Sequence, residues 1–141
     1  MPRIKLHEQP HYGFRYEVTL QPRDINYGGH LGNDALVTLI GEARVNLLNT
    51  IGCSEGDLGD GRTAIIMADL VVNYCAEGFL CDVLCIDTHV GELSRHGFRL
   101  FHRVTRDNRV IALVETGLAT FDYQQRKIAP VPDTFIQALG T

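Results

Sequence analysis

From Gly13 to Leu20 the chain alternates. Phe14, Tyr16, Val18 and Leu20 fall on one side, and Arg15, Glu17 and Thr19 on the other. A period of two marks a strand with one buried face, and Pro22 ends it because proline has no N–H to give to a ladder. The first eleven residues show no such pattern and read as an irregular lead-in. After a polar, glycine-rich stretch the period changes. Leu36, Leu39, Ile40, Ala43, Leu47 and Ile51 recur at helical spacing and form one apolar stripe. Asn33 or Asp34 is placed to cap the start of this helix, and Gly52 to stop it. Val37, Val45 and Leu48 lie outside the stripe, and Thr38, Glu42, Asn46 and Asn49 make up the polar remainder. A helix apolar around so much of its circumference is expected to be wrapped rather than laid on a surface.

Beyond a Gly/Asp loop at residues 57–62, the pattern predicts strands over 63–74, 80–90, 94–105 and 110–121. Gly91-Glu92 and Asp107-Asn108 are read as the turns between the later ones. Residues 123–127 are read as closing the last strand and 128–131 as a short extension, with a helical turn starting at Pro132-Asp133. Tight turns predict an antiparallel meander. One helix and one curved antiparallel sheet make an α+β domain spanning residues 1–141. A single helix covers only one face of a sheet, so the apolar surplus points to a second copy of the chain and at least a homodimer.

At 141 residues and 15.7 kDa, with 45% hydrophobic and 21% charged residues, the chain has an ordinary globular composition. A chain of this length buries about 70% of the surface its unfolded form exposes and needs no disulfide or metal staple. The net charge of −4 and pI near 5.8 argue against nucleic acid, which requires a basic footprint. No apolar run approaches the ~20 residues of a membrane span. The N-terminal residues carry no hydrophobic stretch, so no signal peptide is expected and the location is read as cytoplasmic. There Cys53, Cys75, Cys81 and Cys85 stay reduced. Cys81 and Cys85, in a strand-like run, are read as buried small hydrophobes. No histidine stands at zinc-site spacing from them, and no metal is expected.

Residues 24–33 are the most unusual part of the chain. Asp24, Asn26, Tyr27, His30 and Asn33 are interleaved with Gly28, Gly29 and Gly32, immediately before the helix. Glycines permit positive φ and close backbone approach. A helix N-terminus presents unpaired N–H groups and a partial positive charge. Together they can build an oxyanion hole for acyl transfer. The plain alternative is a capping loop in which Asp and Asn satisfy backbone groups.

This string, Asp24-Ile25-Asn26-Tyr27-Gly28-Gly29-His30-Leu31-Gly32-Asn33, followed by Glu42-Ala43-Arg44, resembles the hotdog-fold acyl-CoA thioesterases of the 4-hydroxybenzoyl-CoA thioesterase type. The resemblance extends through Val72-Asn73-Tyr74, the segment from Gly91 to Phe98, and residues 128–132, nearly the whole chain. It implies an antiparallel sheet wrapped around one long central helix, in a dimer or tetramer that binds an acyl-CoA thioester between subunits. No separate cofactor is implied, since CoA is part of the substrate. Position by position, it places Asn26 at the family's usual catalytic aspartate and His30 after the loop glycine. The backbone N–H near Gly32 or Asn33 would polarise the thioester carbonyl, with Gly29 and Tyr27 in the same substrate-binding loop. Glu42 falls on the central helix, where some members carry a catalytic carboxylate.

Asn26 departs from the pattern, because an amide can be neither nucleophile nor general base. The proton must then go to Asp24, His30 or Glu42. Of these only histidine has an ordinary pKa near neutrality. Asp34, four residues on, is placed to orient the imidazole. The expected reaction is therefore water attack on an acyl-CoA thioester, with Asn26 positioning the water. The same residues leave other readings open. These are a thioesterase for carrier-protein esters, a dehydratase of the same fold class, or a non-catalytic acyl-CoA binder. For the phosphates of CoA, Arg95, Arg99 and Arg103 are read as one face of a strand, with Arg106 and Arg109 flanking the next turn.

Overall fold

The computed structural model describes residues 2–140. Strand β1 (Phe14–Thr19) leads through a short 3₁₀ turn at Pro22–Asp24 and the glycine loop into helix α1 (Asn33–Thr50). Four long strands follow: β2 (Thr63–Tyr74), β3 (Val83–Ser94), β4 (Gly97–Arg106) and β5 (Arg109–Asp122). A two-residue β6 (Lys127–Ile128) and a short α2 (Asp133–Ala138) complete the chain.

Helix α1 lies against the sheet through Leu36, Leu39, Ile40, Ala43, Leu47 and Leu48. Leu48 thus takes the place expected of Ile51, which sits half-buried at the C-cap. The start also differs from expectation. Gly32 is the N-cap and no side chain caps the helix, so Asn33 and Asp34 are its first two residues. Gly52 does stop it. With φ at +77°, it gives its N–H to Asn49 O (3.1 Å), while Cys53 N–H reaches Leu48 O (2.8 Å). This is the paired closure that left-handed glycine allows.

The sheet is antiparallel, in the order β1-β3-β4-β5-β2, with β6 beside the end of β5. Only β3, β4 and β5 form the expected meander. β2 does not neighbour β3. The connection over residues 75–82 carries the chain across the molecule, and β2 pairs with β5 at the far edge. Gly91-Glu92 is not a turn. It lies inside β3, where the register shifts between Val90 and Leu93. A Cβ at Gly91 would stand 2.7 Å from the Phe101 ring of β4, so the glycine serves packing. The real turn is Arg95-His96. Asp107-Asn108 is a turn as read, with φ of 49° and 66°, the left-handed pair that suits a two-residue hairpin. Residues 123–126 form a turn that brings β6 back onto β5, not a continuation of β5. Cys81 is exposed ahead of β3 and Cys85 is half-buried. Of the four thiols only Cys53 is buried.

The face of the sheet turned from α1 carries ion pairs. Arg99 of β4 reaches over Gly117 of β5 to the Asp69 carboxylate of β2, and also bonds Glu115. A Cβ at Gly117 would run into both the Asp69 carboxylate and the Arg99 guanidinium. Those two side chains are flexible and half exposed and can swing aside, whereas a Cβ at Gly97 would collide with the Leu118 carbonyl oxygen in the β5 backbone, so Gly97→Ala is expected to lower stability by about 1–3 kcal/mol. The check is a lower denaturant midpoint at unchanged m-value.

Candidate active site

The glycine loop is a small hairpin held at both ends. Ile25 bridges Leu31, and Asn26 N–H donates to His30 O at 2.9 Å. At the corner, Asn26 Oδ1 accepts from Gly28 N–H (2.9 Å) and His30 N–H (3.4 Å). Gly29, at φ +81°, gives its N–H to Asn26 O (3.1 Å). Gly28 admits the histidine, since a Cβ there would stand 3.3 Å from His30 Nε2. Asp24 is buried, and its Oδ2 accepts from Gln21 N–H at 2.8 Å. Its carbonyl accepts from Gly32 N–H at 2.9 Å. Leu31 N–H then pins the loop to Gly78 O, 2.7 Å away on the 75–82 connection.

Between the loop, the start of α1 and the end of β2 lies a cavity of about 400 Å³. Asn26, His30, Gly32 and Asn33 line one side, Tyr74, Cys75 and Glu77 the other, and Leu36 and Ile111 its apolar parts. His30 is partly exposed, with Nδ1 3.3 Å from Leu31 O and Nε2 3.8 Å from Glu77 Oε1. Glu77, rather than Asp34, is thus the carboxylate beside the imidazole. Tyr74 donates its hydroxyl to Asn33 O at 3.1 Å, and burial, then the nearby Asp34 charge, push its phenol pKa up. The N–H of Gly32 is spent on Asp24 O, and of the unpaired N–H groups at the start of α1 that of Asn33 belongs to a residue lining the cavity.

Four of the residues read as functional are not brought to this cavity. Asp24 is turned to Gln21, and Tyr27 projects fully into solvent. The N–H of Gly29 is already bonded within the loop. Glu42 lies nine residues into α1, about 13 Å along its axis. There it accepts from Tyr16 Oη at 3.0 Å and lines a separate groove. Three residues escaped the sequence reading of the site: Tyr74, Cys75 and Glu77. Tyr74 at least fell within a segment that carried the resemblance.

The arginines divide. Arg95 is not in a strand but exposed in the β3–β4 turn, with no side-chain partner among the described residues. Arg99 is matched by Asp69 and Glu115, whose bonds hold its guanidinium protonated, while Arg99 in turn lowers the Asp69 carboxyl. Arg103 pairs with Asp87 (3.0 Å) and Glu8 (2.9 Å) and lies over the Tyr12 ring, and Arg106 pairs with Asp82 (2.9 Å).

One antiparallel sheet around one long helix, with a cavity at the helix N-terminus, defines the hotdog class of proteins. Synechocystis Slr0204, a 1,4-dihydroxy-2-naphthoyl-CoA thioesterase, superposes with a TM-score of 0.81 at 19% identity, over 90% of this chain and 95% of its own. Staphylococcus aureus SAV2348, solved in complex with CoA, gives 0.79 at 14% identity, over 90% and 81%. Residues 20–139 match the family model of the Thioesterase-like superfamily, and the chain belongs to that family. The acyl-CoA thioesterase YbgC of Haemophilus influenzae is 22% identical over 121 residues, 85% of this chain and 89% of that protein. Among the described residues no helix is long and apolar enough to cross a membrane.

Proposed function

We propose that this protein hydrolyses an acyl-CoA thioester to the free acid and CoA. The observation that carries the reading is the meeting of His30 Nε2, Asn26 and the free Asn33 N–H around one cavity. The superfamily, and the acyl-CoA thioesterase activity of the Haemophilus and Synechocystis relatives, support the choice of thioester. A carbonyl oxygen only accepts, so the contact with Leu31 O puts the hydrogen on Nδ1 and leaves Nε2 as the basic nitrogen. Nε2 takes a proton from water as the water oxygen attacks the thioester carbon. The resulting oxyanion is met by Asn33 N–H at the positive end of α1. Asn26 spends its Oδ1 on the loop and keeps its Nδ2 as a donor to the water or the thioester. Collapse breaks the C–S bond, and the imidazolium returns the proton to the leaving CoA thiolate. Asp24 acts by shaping the loop.

The proposed working form is a cytoplasmic homodimer. The outer edge of β2, 12 residues long and carrying exposed Met67 and Tyr74, is a template for a second copy. Antiparallel pairing of two β2 edges would set the Thr63 end of one chain beside the Tyr74 end of the other. Arg95 shares a groove with Thr63 and Lys127, so its unmatched charge suits the CoA phosphates, whereas Arg99 is already neutralised. The test is thiol release from short, medium, long and aromatic acyl-CoA esters, after the exposed Cys75 and Cys81 have been allowed for. Turnover on one class is expected. Binding of the esters without release of thiol would replace the enzyme by a binding protein.

A further inference from the structure

Glu77 has no part in the reaction as written, yet it is the carboxylate within ion-pair distance of the imidazole among the described residues, 3.8 Å from Nε2. The other ionisable groups around the cavity are engaged elsewhere or set apart. Asp24 is bonded to Gln21 N–H, Tyr74 to Asn33 O, and the Cys75 thiol faces Asn73 O at 3.6 Å. Asp34, in the first turn of α1, has its carboxylate beside Gly32 and acts on the Tyr74 phenol, but makes no ion pair with His30 among the described residues. The position of Glu77 is set by backbone, not by its own side chain. Its neighbour Gly78 accepts from Leu31 N–H, and Leu31 is the neighbour of His30. A Cβ at Gly78 would stand 3.2 Å from Leu20 and 3.4 Å from Leu31, so glycine is what lets the connection approach the loop this closely.

We propose that Glu77 is a positioning residue that steadies His30 as it takes up the proton, an inference that rests on the reading of His30 as the base. In the resting enzyme Nε2 carries no hydrogen and offers the carboxylate nothing to accept. Once protonated, it faces an anion at ion-pair distance. The attraction therefore appears along the reaction path and not in the ground state, which is the condition for raising kcat. It strengthens when substrate fills the cavity and excludes water.

The experiment compares Glu77→Gln, Glu77→Asp, His30→Ala and the double variant His30→Ala/Glu77→Gln, on an ester that the wild-type enzyme turns over. Glu77→Gln is expected to lower kcat about fivefold, the upper end of what a partly exposed ion pair contributes, with KM changed less than about twofold. Glu77→Asp recovers part of the rate, and the double variant is no slower than His30→Ala. Wild-type kcat in Glu77→Gln overturns the proposal, as does a further loss of about fivefold in the His30→Ala background. Full activity of His30→Ala would instead remove the base reading itself, and the role of Glu77 with it.

Discussion

His30→Ala is expected to lower kcat about a hundredfold, the ordinary contribution of a positioned general base. The ring makes little structural contact. It touches Leu31 O through Nδ1, faces Glu77 through Nε2, and is partly open to solvent. Its loss therefore leaves the loop, which is held by Asn26, Asp24 and the bond from Leu31 to Gly78. KM should stay within a few-fold, because the Asn33 N–H and the cavity walls remain. The residual rate reports what the helix N-terminus contributes without a base. Steady-state kinetics beside a thermal melt decide the matter. A folded variant with wild-type kcat would move the base elsewhere.

The second large effect is on stability against acid. His102 of β4 is 1% exposed, with Nδ1 2.8 Å from Thr88 Oγ1 and Nε2 buried without a partner among the described residues. Burial, then the nearby Arg44 charge, lowers its pKa to about 3. In the unfolded chain the same group titrates near 6.5. Below pH 6.5 the unfolded chain therefore binds a proton that the folded chain refuses. The stability is complete above that pH and falls as pH drops, by up to about 1.4 kcal/mol per unit, until the folded state also protonates near pH 3. By pH 4.5 the loss is about 2–3 kcal/mol. The depressed carboxylates act lower down. Asp87, although burial works the other way, is held below the usual carboxylate range by Arg15 and Arg103. Its contribution is present above about pH 3.9 and lost beneath it. Urea midpoints between pH 7.5 and 4.5 isolate the histidine, and His102→Gln should flatten the slope in that window. An equal slope in the variant would show that another group carries it.

Local signals were read correctly where one residue type has one cause. The alternation of β1, the bounds of β2 and the stop at Gly52 are of this kind. So is the Asp107-Asn108 turn, where both residues must adopt positive φ. Glycine at position 91 misled because close packing against Phe101 and turning leave the same mark in a sequence. The true turn, Arg95-His96, has no turn residue between its ends. The cap at Gly32 leaves no side-chain signature, because glycine offers no acceptor to the first N–H groups of α1 and they stay uncapped among the described residues. At the site, Asn26, His30 and Asn33 share a local loop and could be read together. Glu77 could not, since it stands 47 residues beyond His30 and its neighbourhood depends on where β2 docks. The engagement of Arg99 is not legible in the sequence because its partners, Asp69 and Glu115, lie on two other strands.

The placement of β2 also sets an order of events during synthesis. A ribosome delivers β1, the glycine loop and α1 first, then β2, and only later the strand that β2 pairs with, β5. Once residue 106 has emerged from the ribosome, β3 and β4 can already form a hairpin and receive the helix. Tyr74 and Cys75 then still hang from a strand with no ladder to join, while Glu77 is already tied to the loop through the bond from Leu31 to Gly78. The far wall of the cavity waits for residues 109–122, so a prematurely released chain would carry the loop and the helix but enclose no room for a thioester.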